Sequence, residues 1–229
     1  MDRDSSPIGG LARPMQPTKQ LFYTTIIMDV AAILLAFFLS VYTAAGIFLY
    51  ILASRAYSYR GIRLKKFPVL GYLVVVIFQG GLSFFITYHA CSETKTLDIP
   101  IFPLLAASCL IGGYYPLTQV YQHEADKKDG VKTISMLLGI RGTFVFCGCI
   151  FVAATLLLFE TFYIHKQLRS FYIFLACMLP MFIFFQWWML RVWKDPKKAD
   201  FINSFRMNVL ASGCTTICFL ILLIIQRLE

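Results

Sequence analysis

Charge is scarce in this 229-residue chain: 14% of its residues are Asp, Glu, Lys or Arg, and only twelve are acidic. With 59% hydrophobic residues and 22 phenylalanines, it cannot supply the polar surface of a soluble domain of this size. Seven cysteines are present without a single Cys-x-x-Cys pair, which removes the usual zinc and redox spacings. Cys109, Cys147, Cys149, Cys177, Cys214 and Cys218 lie within apolar runs and Cys91 at the end of one, so they read as small packing residues. The opening "MDRDSSPIGGLARPMQP" is polar, with no apolar stretch before residue 20, and does not read as a signal peptide. The period-2 alternation of barrel strands is missing as well. No internal repeat, low-complexity tract or soluble domain is visible.

What the chain does have is long apolar runs, at about 20–40, 42–57, 68–90, 100–122, 143–161, 171–192 and 205–226. Most reach the roughly 20 residues a helix needs to cross a bilayer core. In lipid every backbone N–H and C=O must be paired internally, so these runs are expected to be helices. The expected fold class is all-α: a polytopic helical membrane protein of about seven transmembrane helices. Residues 1–229 then form a single transmembrane unit, with residues 1–19 and inner loops at about 58–67, 123–142 and 193–206 on one side.

The net charge of +9 falls on those connections. The N-terminal segment, the three inner loops and flanking Arg55 and Arg191 carry 17 of the 21 Lys and Arg; Lys95, Lys166, Arg169 and Arg227 are left for the other side. The bias of basic loops toward the cytoplasm orients the N-terminus inside and the C-terminus outside, in an integral protein of the cell inner membrane. Topology and anionic headgroups account for this charge, so no nucleic-acid partner is expected; the bilayer itself is the partner.

Chemistry should lie in the inner loops. "QVYQHEADKKDGVKT", residues 119–133, packs three acids and three lysines into fifteen positions. Gln122 and Asp126 project from one face if the preceding helix continues past the membrane, with Glu124 and Asp129 nearby. Such oxygens suit Mg²⁺, a hard cation that keeps several waters and bridges to phosphate oxygens; Lys127, Lys128 and Lys132 add charge suited to a diphosphate. The bland alternative is a solvated loop whose charges pair among themselves. Asp2 and Asp4 in the first segment, and Arg55, Arg60, Arg63, Lys65 and Lys66 with Tyr57 and Tyr59 in the second, face the same side. The combination favours a site.

Three segments carry a family resemblance. "YQHEADKKDGVKTISMLLG" resembles the second acidic signature, DxxxD, of the UbiA superfamily of intramembrane prenyltransferases, with its downstream Gly, basic residue, Thr and closing Gly. "AYSYRGIRLKKFPVLG" resembles that family's Tyr-Ser, Arg-Leu-Lys and Pro segment, and "MDRDSSPIGGL" the end of its first signature, NxxxDxxxD. The similarity spans essentially the whole chain. It implies a nine-helix bundle of which about seven helices are present here. The expectation is an N-terminus short of the first two helices, through an internal Met1 taken as the start or a real truncation. Alignment of Asp2 with the middle acid puts the expected Asn before residue 1 and the last acid at Ser6, with Asp4 the nearest substitute. Gln122 stands where the second signature begins with an acid.

The resemblance implies transfer of a prenyl group from its diphosphate to an aromatic or other lipid-pathway acceptor, quinone precursors among them. Asp2 and Asp126 would be catalytic; Asp2, Asp4, Gln122 and Asp126 would hold Mg²⁺; Arg63, Lys65 and Lys132 would bind the diphosphate. An allyl cation would form as the C–O bond breaks, sheltered by aromatic faces and dry helices. Tyr57, Tyr59, Tyr114 and Tyr115 are candidates, with packing or an interfacial belt as the alternative. A membrane transporter and an inactive truncated family member are the competing readings.

Other polar residues in the runs invite structural roles. Asp29 reads as a neutral acid or a helix–helix contact, and Gln79 with its Gly-Gly pair as close packing or a kink. Glu160 and His89 are expected to reach interfacial water. Gln186 could touch an acceptor headgroup, or simply accompany the interfacial anchors Trp187 and Trp188.

Overall fold

A computed structural model of the chain describes residues 18–59 and 61–228; Asp2 and Asp4 lie outside the described residues. Among these, all regular structure is helical. Helix α1 (Lys19–Phe37) and helix α2 (Val41–Ser58) form a hairpin. Each start is capped by a hydroxyl: Thr18 Oγ1 accepts from Leu21 N (3.1 Å) and Ser40 Oγ from Thr43 N (2.9 Å). Arg55 donates from Nε to Asp29 Oδ2 (3.0 Å) and from Nη2 to the same oxygen, so Asp29 makes the expected helix–helix contact.

After a 3₁₀ turn at Leu64–Lys66 comes one continuous span, Pro68–Cys91. It runs as α3 (Pro68–Val74), a π-helical stretch (Val75–Leu82) and α4 (Ser83–Cys91). Pro68 sits at its N-terminal turn, where its missing N–H costs nothing. In the π stretch Gly80 lies against α5 (Ile101–Tyr114); a Cβ there would stand 2.5 Å from Ser108 Cα. The "QGG" segment is thus both a helix irregularity and a close approach, as its composition indicated.

The chain continues through a 3₁₀ turn (Tyr115–Thr118), α6 (His123–Lys128), α7 (Ile134–Ile164), α8 (Leu168–Lys194), a 3₁₀ turn (Pro196–Lys198) and α9 (Phe201–Leu228). The stretch expected as a loop over 123–142 is therefore α6, a short extended link and the first turns of α7. Among the described residues, seven long helices stand where the seven apolar runs are. Six are long and apolar enough to cross a membrane; α2, whose sequence includes Arg55 and several Tyr and Ser, is not among them.

Consecutive helices pack on one another, most extensively α5 on α7. Lipid is as apolar as leucine, so tight packing rather than water exclusion must hold such helices together. The core lies among α5, α7, α8 and α9, around Leu117, Phe144, Phe151, Phe185, Trp188 and Met207. Phe144 meets Trp188 edge-on at 4.8 Å, and Trp188 Nε1 donates to Lys198 O (2.8 Å). Trp187 is exposed beneath Arg191 (4.7 Å), as an interfacial anchor is, but Trp188 is 0% exposed and belongs to the core.

His89 also departs from expectation. It is 1% exposed, with Nδ1 on Thr96 O (2.9 Å) and Nε2 on Ser40 Oγ (2.8 Å), tying the α1–α2 turn to the end of α4. Glu160 is exposed as expected. All seven cysteines are free thiols.

Candidate active site at the basic end of the bundle

Alternation of the helices brings their basic connections to one end. The hydroxyls of Tyr57, near the end of α2, and Tyr115, after α5, hydrogen bond to each other. Arg63 reaches Asp129, the Tyr121 ring meets Phe201 at 5.3 Å, and Ser204 Oγ donates to Leu117 O (3.4 Å). Residues 57–59, 61–66, 115–135 and 188–204 thus gather at one end, and the Arg63 and Asp126 segments are neighbours.

Helix α5 does not continue smoothly into the signature. Pro116 lacks the N–H an α-helix would need there, and the chain tightens to 3₁₀ before restarting at His123. Gln122 and Asp126 nevertheless remain one turn apart, through the bond from Asp126 N to Gln122 O (2.8 Å). Burial then sorts the charges of α6. Glu124, Lys127 and Lys128 are exposed, whereas Asp126 is 3% exposed. A simple solvated loop would keep all its charges wet, because burying a carboxylate is costly. Asp126 lies within electrostatic reach of Tyr115, whose hydroxyl also meets the Gln119 side chain. Val131 N returns to Asp126 O (2.9 Å) through the left-handed Gly130 (φ 68°), closing the turn.

Asp129 is engaged by Arg63: Nη2 donates to Oδ2 (3.0 Å) and Nη1 to the main-chain oxygen (3.3 Å). Arg63 itself sits in the left-handed region (φ 48°), just before the 3₁₀ turn that carries the half-buried Lys65. Lys132 is exposed between buried Val131 and Thr133.

A second polar cluster supports α6 from the start of α7. His123 Nε2 meets Ser135 Oγ (2.7 Å), and Ser135 N donates to Gln119 Oε1 (3.5 Å). Burial pushes the His123 imidazole below its ordinary value of 6.5. Thr133 caps α7 through Met136 N, and Gly139 (φ 71°, ψ 166°) breaks its first turns away from the rest. Thr143 Oγ1 donates to Gly139 O (2.7 Å), serving a carbonyl beside the break. Gly139 is the closing glycine of the signature segment; Ser135 and Thr143 carry no signal of their own in the sequence.

Could these groups hold a magnesium ion? Among the described residues no cluster of three or more His, Cys, Asp or Glu is poised to bind a metal. The donors are the Asp126 carboxylate and the carbonyl of Gln122, whose Nε2 donates to Tyr121 (2.7 Å). One carboxylate and one carbonyl do not make a protein cage. They do fit Mg²⁺, which commonly takes one or two carboxylates and completes its shell with water and substrate phosphate.

Between α5, α7, α8 and α9 lies a cavity of about 560 Å³, lined by Tyr114, Phe151, Phe162, Phe174, Met178 and Asn208 among others. Its size is that of a small-molecule pocket. Tyr114 connects it to the loop end: it lines the cavity, while its buried hydroxyl, which has no hydrogen-bond partner among the described residues, lies within electrostatic reach of Tyr121.

Fold and site together define a polytopic helical membrane protein with a carboxylate–guanidinium cluster at one end and an apolar chamber among its helices. The model of the UbiA prenyltransferase family matches residues 9–210, and the chain belongs to that family. Neither the curated proteins nor the solved structures give a match. Family membership makes prenyl transfer the general activity to be expected.

Proposed function

We propose that the chain transfers a prenyl group from its diphosphate to a hydrophobic or aromatic acceptor within the membrane. The observation that carries this reading is Asp126: one acid of a charged loop is turned into the protein, three residues from the Asp129 that Arg63 holds and within electrostatic reach of Tyr115, the sequence neighbour of the chamber-lining Tyr114. Asp126 and Gln122 would hold Mg²⁺, with Asp2 and Asp4 as further ligands; the ion would supply positive charge to the leaving diphosphate. Arg63, Lys65 and Lys132 would bind and orient that group, stabilising the charge that builds as the allylic C–O bond breaks. The tail would occupy the chamber, whose Phe151, Phe162 and Phe174 walls exclude the water that would quench an allyl cation. We place the basic end in the cytoplasm, where water-soluble diphosphates are available, and treat the chain as one transmembrane unit.

The test is lipid mass spectrometry of cells lacking the gene, complemented with wild type or Asp126→Ala. A prenylated compound restored by the wild type alone is the expected result. Identical lipid profiles in all three strains would overturn the proposal.

A further inference from the structure

Arg63 is not idle. Its guanidinium bridges the second basic connection to the signature loop through two bonds to one residue, Asp129. We propose that Asp129 is a stand-in for the diphosphate: it holds Arg63 in place until the anion arrives, and binding is an exchange of partners. This rests on the prenyl-diphosphate reading above.

Three observations support an exchangeable pair rather than a fixed clamp. Asp129 is the C-terminal cap residue of α6, where the helix presents carbonyl oxygens and a carboxylate is electrostatically misplaced. An acid there gains nothing from its own helix, and its close partner is Arg63. The pair is also asymmetric: the Arg63 side chain is 16% exposed and that of Asp129 33%. The carboxylate is therefore already partly wet and can be given up to water, while the guanidinium stays in the protein. Finally, Arg63 holds a left-handed backbone (φ 48°), a conformation that non-glycine residues keep only when their surroundings enforce it. Main-chain bonds from Arg63 N to Tyr59 O (2.6 Å) and from Lys66 N to Arg63 O (3.0 Å) hold it, so the residue stays in place while its side chain changes partner.

The chemistry of the two anions sets the direction of exchange. A guanidinium has five donors, of which Asp129 takes two. A diphosphate offers more oxygens and more charge than one carboxylate, and the planar fork can grip it bidentately. Asp129, three residues from Asp126, then lowers the apparent affinity by the fraction of molecules in which Arg63 is occupied. If the paired form holds about nine-tenths of the population, freeing Arg63 tightens anion binding about tenfold.

The experiment is calorimetric titration of the purified full-length chain in lipid nanodiscs with inorganic pyrophosphate and excess Mg²⁺. Asp129→Asn is expected to bind about tenfold tighter than wild type. Arg63→Gln should weaken binding, and in its background Asp129→Asn should lose the gain. Glu124→Gln removes an exposed charge from the same helix and should change affinity no more than about twofold, separating exchange from general charge. Gain of affinity cannot come from misfolding, so a damaged variant does not mimic the result. Unchanged or weaker binding by Asp129→Asn, or a gain that persists without Arg63, would overturn the exchange. If wild type binds, Asp126→Ala does not and Asp129→Asn is no tighter, only this inference falls. If no form of the protein binds pyrophosphate, the diphosphate reading falls with it.

Discussion

Replacing Gly139 with alanine isolates one backbone requirement of the site. The residue sits at φ 71° and ψ 166°, between the first turns of α7 and the rest of that helix. This region is essentially restricted to glycine, and a side chain there costs on the order of 1–3 kcal/mol. Steric crowding adds nothing, because a Cβ at 139 would meet no atom within 4 Å. At about 2–4 °C per kcal/mol for a chain of this length, Gly139→Ala should lower the melting temperature by roughly 5 °C. Alternatively the chain escapes the strain by winding α7 straight through position 139, which moves Ser135 away from His123 and Gln119 and weakens pyrophosphate binding. Gly213→Ala is the control: it lies within α9 in open space, and helix propensity should make it neutral or more stable by up to about 1 kcal/mol. The assay is thermal unfolding together with pyrophosphate titration, in nanodiscs. Wild-type melting and wild-type binding in Gly139→Ala would show that the break in α7 is dispensable.

Other consequences follow from single contacts. Gly80→Ala should destabilise by about 1–3 kcal/mol, because its methyl meets the Ser108 backbone at 2.5 Å, whereas Gly81→Ala meets side-chain atoms alone, the Ser108 hydroxyl at 3.2 Å and Leu104 Cδ2 at 3.8 Å, and should cost less; thermal unfolding of both compares them. His123 has its imidazole pushed below 6.5 by burial, so the unfolded chain takes up the proton first as pH falls. Stability should be full above pH 6.5 and decline as pH falls through the lower folded value, a slope that His123→Gln removes; denaturant unfolding across pH in metal-free buffer measures it.

The helices were legible because lipid leaves the backbone one economical solution, and apolar runs of span length mark them. The gathering of basic loops was legible for the same reason, as alternate crossings place them together. The pairing of Gln122 with Asp126 followed from their spacing, although Pro116 interrupts the helix expected to carry them. What could not be read were partners distant in sequence. His89 looked interfacial because its partner Ser40 lies 49 positions away. Trp188 looked like an anchor beside Trp187 until Phe144 and the Lys198 carbonyl were seen to enclose it. Arg63 reads in the sequence as a cation for a diphosphate; nothing nearby reveals that Asp129, 66 positions on, already holds it. Spacing reports which residues share a face, but burial decides which of four adjacent charges on α6 points inward.

The most direct test is transfer itself: purified chain, radiolabelled prenyl diphosphate and a membrane extract as the source of acceptor, assayed with Mg²⁺ or with a chelator. Label should enter a lipid-soluble product, with release of unlabelled pyrophosphate, only when Mg²⁺ is present, and both should be lost in Asp126→Ala. Transfer that survives Asp126→Ala or chelation would contradict the claim that this buried carboxylate holds a magnesium-bridged diphosphate.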